Sequence, residues 1–178
     1  MADEPTGFAE LPWDTGQSAL MGPCSTMPKI YQTPGGRDFQ VPGRPPDVFN
    51  HPNGTAEFSC ARSLHVGGID WNPRLILLDG RLVAYQFTVE RAYDDLRAIA
   101  LQRFGPPASV KTEQYRTGAG IPIDGEVLEW RWPGGTWAIL SERFSRISTT
   151  SLLVGTRAYS EHLAKRRQGQ LEKSKKSF

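Results

Sequence analysis

Residues 75–107 constrain the fold of this chain more than any other stretch. Leu75-Ile76-Leu77-Leu78 is an apolar run of strand length, and Asp79-Gly80 follows it directly. Both central residues of the tightest hairpin turn need positive φ, which Asp and Gly adopt at low cost. The next run alternates: Val83, Tyr85, Phe87 and Val89 are assigned to one face, Ala84, Gln86 and Thr88 to a wetter one. Tyr93, Leu96, Ala100 and Phe104 then recur at helical spacing with Ile99 beside them, until Gly105-Pro106-Pro107 stops the helix. A hairpin feeding an amphipathic helix predicts a helix lying on an antiparallel sheet.

The same pattern is expected twice. Within residues 8–20, Asp14 or Thr15 can cap a short helix, which Gly22-Pro23 stops. Strands at 57–66, 71–78 and 82–90 make a first three-stranded meander, and strands at 126–132, 136–143 and 149–156 a second. A two-residue Gly134-Gly135 turn would pair Trp132 with Trp137 and Trp130 with Ile139, putting Leu128 on the same face. The fold class is therefore α+β: an antiparallel sheet built from two three-stranded meanders, each preceded by a helix packed on one face. Residues 1–158 form the domain and 159–178 a basic tail.

Between first helix and first meander, residues 22–54 hold seven Pro and five Gly in 33 residues, which excludes a packed helix or central strand. Ile30, Tyr31, Phe39, Val48 and Phe49 are too apolar for a plain linker, so this is an extended arm. A stretch of this length without regular structure is normally functional or disordered. The net charge of +2 divides into +4 on 159–178 and −2 on the rest, so the body carries no global attraction to nucleic acid. No run approaches the roughly 18 apolar residues of a spanning helix. Cys24 and Cys60 either pair, clamping the arm, or remain free thiols.

The order Phe8-x-x-Leu11-Pro12-Trp13, Asp79-Gly80-Arg81-Leu82, Tyr93-x-x-Leu96 and Phe104-Gly105-x-Pro107, with a later strand tryptophan, resembles small uncharacterised bacterial α+β proteins, mostly exported. The resemblance implies export and a bacterial source but no activity, and the arm departs from it by its length. Met1-Ala2-Asp3-Glu4-Pro5 reads as a mature secreted start or as a cytosolic one; export is the side taken here.

Chemistry-bearing patterns are sparse. His51, His65 and His162 fall in different elements, and His51, Cys60 and His65 lack metal-site spacing. There is no Gly-x-Ser-x-Gly, and Gly118-Ala119-Gly120 lacks the rest of a dinucleotide or P-loop motif. Asp94-Asp95 suits the helix dipole, and Glu126 and Glu129 fall on opposite faces of a strand, which prevents acid/base pairing. No catalytic residue, metal or cofactor is assigned. The leading expectation is a non-catalytic accessory or inhibitor-type protein binding another protein. Tyr31, Phe39 and Phe49 would be anchors, Arg37 and Arg44 polar contacts, and Lys165, Arg166 and Arg167 a basic contact. An alternative is a ligand-binding protein or enzyme that stacks a carbohydrate on Trp130, Trp132 and Trp137, although burial under the Phe104 stripe is the favoured reading of those rings. A third is nucleic-acid association through the tail alone.

Overall fold

The computed structural model describes residues 2–26, 29–32, 38–41, 43–66, 68–144 and 148–175. In chain order these form β1 (Gly7–Phe8), β2 (Leu11–Pro12), α1 (Gln17–Cys24), β3 (Lys29–Gln32), β4 (Asp38–Val41), β5 (Phe49–Asn50), β6 (Thr55–Ser59), β7 (Leu64–Val66) and β8 (Ile69–Trp71). There follow β9 (Arg74–Leu78), β10 (Arg81–Glu90), α2 (Tyr93–Phe104), β11 (Ser109–Arg116), β12 (Pro122–Arg131), β13 (Trp137–Ser141), β14 (Thr149–Gly155) and α3 (Arg157–Lys175). The fold is α+β. One antiparallel sheet runs β11-β12-β13-β14-β10-β9-β6-β5, and β1-β2, β3-β4 and β7-β8 are separate two-stranded hairpins.

The hairpin that anchors the sequence reading forms as its residues require: Arg81 pairs with Leu78, and Asp79 and Gly80 have φ of 51° and 74°. Its alternation is broken, however, by a register shift between Leu82 and Ala84. A bulge inserts one residue and rotates what precedes it. Leu82 therefore joins Tyr85, Phe87 and Val89 in the main core, while Val83 sits with Ala84 and Ile76 in a second cluster on the other face. Both faces of β10 are buried along most of its length, so the wetter face expected there is a second interior.

Each half of the sheet contributes four strands rather than a meander of three, and the halves join where β10 pairs with β14, Ala84 opposite Gly155. In the first half the expected strand 57–66 is cut at Cys60. Its N–H donates to Pro73 carbonyl, the Ala61 N–H donates to Cys24 carbonyl, and the chain leaves the sheet to make β7-β8. In the second half β11 adds an edge strand where a loop was expected. Ser-Val-Lys-Thr-Glu-Gln-Tyr-Arg is almost wholly polar because the strand is exposed on both faces, so no apolar alternation marks it.

Two helices cover one face. Leu20 and Cys24 of α1 and Leu96, Ala100 and Phe104 of α2 share one core with Phe58, Leu75, Leu77, Leu128, Leu140 and Val154. The α1 start is not capped by Asp14 or Thr15: its N-cap is Gly16, without a side-chain bond. The loop is instead laced to the hairpin, Asp14 N–H donating to Leu82 carbonyl, Leu82 N–H to Thr15 carbonyl and Gln17 N–H to Gly80 carbonyl. The helix also passes Gly22-Pro23, carrying Pro23 in its last turn and ending at Cys24. The third helix begins directly after β14, so the basic tail is a helix rooted on the sheet. Its Tyr159 packs on the opposite face, beside Ile76 and Ala84.

Candidate functional site

The aromatic platform does not exist as one surface. The turn after β12 is longer than the two-residue turn expected: Trp132 N–H donates to Thr136 carbonyl, Gly135 N–H to Trp132 carbonyl, and Gly135 takes a φ of 98°. This is a three-residue loop closed by a glycine bulge. It pairs Trp130 with Ala138 and Arg131 with Trp137, one position away from the expected register. A slip of one residue moves a side chain to the other face. Trp130 and Trp132 are buried under α2, each edge-on to Phe104 at 5.6 and 5.5 Å between centroids, with indole N–H groups donating to Gly105 and Ala2 carbonyls. They are core.

Trp137 stands alone on the other face, half-buried, its ring parallel to Tyr159 of α3 and its N–H donating to Thr156 carbonyl. Gly155 makes room for this pair, since a Cβ there would lie 2.8 Å from the indole. Beside it opens a groove of about 510 Å³ between β12-β13 and α3, lined by Glu129, Arg131, Trp137, Ile139, Arg157 and Arg167 among others. Glu129 at its edge is satisfied: Lys111 donates at 2.8 Å, and that hydrogen bond, with the charges of Lys111 and Arg131, holds its carboxyl below the ordinary range. Of the described basic residues singled out in the sequence, Arg167 alone lines the groove. Lys165, Arg166 and Arg167 are consecutive and exposed, so they fan about 200° around α3 instead of forming one stripe.

The arm is partly regular. β3 and β4 make a hairpin with Tyr31 opposite Phe39, and they pair with no other described strand. Arg37 lies outside the described residues. The hairpin's base is closed where Thr26 N–H donates to Arg44 carbonyl and Arg44 N–H donates to Thr26 Oγ1 at 2.7 Å. Just before it, Cys24 is disulfide-bonded to Cys60, both cysteines buried. The chain then runs along the body to β5, which pairs with β6 and exposes 64% of Phe49. A concavity of about 320 Å³ gathers Arg44, Pro45, Pro46, Asp47 and Phe49 against Cys24 and Asn72, with the Arg44 guanidinium 3.0 Å from both Asp47 oxygens. The structure thus brings Arg44 and Phe49 together, and Trp137 with Arg167.

The carboxylates are separated as strand alternation requires. Glu126 faces α2, where the Tyr93 hydroxyl and Arg97 Nε donate to it; those bonds hold its carboxyl below the ordinary range, while burial and the carboxylate push the Tyr93 hydroxyl up. Asp94 and Asp95 do lie in the first turn of α2. His51 is 3.7 Å from Glu57, and His162 Nε2 is buried without a hydrogen-bond partner among the described residues. Among those residues no cluster of metal-ligating side chains exists. One feature had no sequence signal. Glu4 reaches the β12-β13 turn, accepting N–H bonds from Gly134 at 2.9 Å and Thr136 at 3.0 Å. Burial works against its charge, but these bonds and nearby Arg157 keep its carboxyl below the ordinary value. A Cβ on Gly134 would meet that carboxylate at 2.5 Å, so a larger residue there would push the Glu4 side chain aside.

No family model, no curated protein and no solved structure matches this chain. No helix among the described residues is long and apolar enough to cross a membrane.

Proposed function

We propose that this chain is a non-catalytic accessory protein that binds another protein through its arm, in an oxidising compartment. The observation that carries the reading is the β3-β4 hairpin: it pairs with no other described strand, yet its base is fastened by the Thr26–Arg44 bonds and the Cys24–Cys60 disulfide. A stapled base pre-orders the backbone of the hairpin it carries, and pre-ordering lowers the entropy cost of association. The concavity at its foot adds an exposed aromatic, Phe49, beside the Arg44 guanidinium, the residue types enriched in interface anchors. Buried disulfides persist where thiols are not kept reduced, which supports export.

The test replaces residues 29–41 by a short turn while keeping Cys24, Arg44 and Phe49. Removal of all of 22–54 would also strip β5 from β6 and confuse binding with folding. Crosslinking and mass spectrometry in the native host should recover a stoichiometric partner with the intact chain and lose it with the shortened one, the unfolding midpoint being unchanged. Undiminished crosslinking sinks the reading.

The groove beside Trp137 favours a second reading, ligand binding. An indole flanked by Arg131, Arg157 and Arg167 suits an acidic saccharide, its ring on the tryptophan and its carboxylates on the guanidiniums. Titration with a uronate oligosaccharide should quench wild-type tryptophan emission and leave Trp137→Phe unaffected; equal responses eliminate this site.

A further inference from the structure

The two ends of the main sheet differ. At one end β5 is a two-residue strand followed by Pro52, the short edge by which proteins block further pairing. At the other, β11 is eight residues long, contains no proline, and keeps an unbroken register against β12 from Ser109–Glu129 to Arg116–Pro122. Its outer edge pairs with no described strand, and Val110 is 55% exposed. Such an edge offers a row of backbone donors and acceptors to another strand.

We propose that this edge is a self-recognition surface: two copies pair their β11 strands antiparallel about a two-fold axis through Thr112. The charges choose the occupant. An antiparallel pairing that keeps the α2 faces of both sheets on one side must match odd residues with odd and even with even. With Thr112 opposite Thr112 of the second copy, Lys111 lies opposite Glu113 and Glu113 opposite Lys111, Val110 faces Gln114, and Ser109 faces Tyr115. Sliding the register by two residues in either direction places Lys111 opposite Lys111 or Glu113 opposite Glu113, and like charges directly opposite destabilise. One register of the three is charge-matched, and two-fold symmetry makes both ion pairs at once. Lys111 and Glu113 lie on the face that carries Glu129, where Lys111 already bonds Glu129 and Glu113 accepts from the Tyr115 hydroxyl, so both side chains are held over the sheet near the edge. The product is a continuous sheet of sixteen strands with the two Thr112 Cα atoms about 4.5–5.5 Å apart.

Sedimentation of the full chain should show a concentration-dependent dimer; a monomer at every concentration overturns the proposal. Glu113→Lys, which leaves the Lys111–Glu129 pair intact, should abolish self-association, as should Lys111→Glu. Mixing the two folded variants should restore a dimer, because each then meets opposite charge on the other. In Thr112→Cys the new thiols should crosslink two copies on oxidation, whereas those of Val110→Cys, which face Gln114, should not. A dimer that survives Glu113→Lys, or equal crosslinking at 110 and 112, disproves the register, and Thr112→Cys decides even if Lys111→Glu fails to fold.

Discussion

The two faces of the one sheet are covered by helices of opposite character. The twelve-residue α2 buries Leu96, Ala100 and Phe104 and closes its face with Trp130 and Trp132. The nineteen-residue α3 leans in with Tyr159, His162 and Leu163, then runs on as an exposed basic rod whose Leu171 is 58% accessible. Helix length is therefore a poor guide to what a helix contributes. Where apolar residues recur at i, i+3 or i+4, burial drives docking; where they do not, the helix leaves space, and the groove beside Trp137 is that space.

The largest expected effect breaks or upholds this contrast directly. Trp130→Ala should cost about 3–5 kcal/mol in chemical denaturation, as for large aromatic truncations in a closed core. Trp137→Ala, on a half-open face, should cost about 1–2 kcal/mol. Equal losses would mean that α3 closes its face as well as α2 does. Next, replacing Cys24 and Cys60 together by Ser, which releases a loop spanning a separation of 36 residues, should lower stability by about 3–4 kcal/mol, read from the shift in denaturation midpoint. No loss would place the staple outside the energetics of the α1 and α2 face.

Acid sharpens the comparison further, because each face carries a carboxylate with a lowered pKa, Glu126 toward α2 and Glu129 toward the groove. A carboxyl depressed in the folded state binds its proton more readily when unfolded. Its contribution is thus present above the ordinary value of 4.5 and lost as pH falls below that value through the folded one. The melting temperature should fall in that window, and Glu126→Gln and Glu129→Gln should each flatten the decline. The smallest effect is reserved for the rod: truncation after Gly169 should change unfolding free energy by no more than about 0.5 kcal/mol. A larger loss would reveal contacts that its exposure denies.

The legible parts of the sequence were those with local causes. Asp79-Gly80 and the stripe through Leu96, Ala100 and Phe104 encode a turn and a helix in their own φ preferences and spacing, and both stand where the residues put them. Where the reading failed, the cause was a single inserted residue or a missing apolar signal. The bulge near Val83 and the three-residue loop at Gly134-Gly135 each shift alternation by one, which sent Val83 and Trp137 to the far face and dissolved the aromatic platform. β11 was invisible because an edge strand wet on both faces has no hydrophobic period. The Glu4 clasp lay 130 residues from its partner Gly134, with no pattern linking them.

By itself, then, the sequence determined the α+β class, the central hairpin and the α2 stripe, since these follow from spacing and backbone preference. Tertiary structure alone decided which tryptophans are core and that the cysteines pair. It also turned the basic tail into a helix that walls a groove and left the outer edge of β11 unpaired among the described strands. Those outcomes depend on register and long-range contact, and a one-residue change in register reverses a face without altering any local propensity.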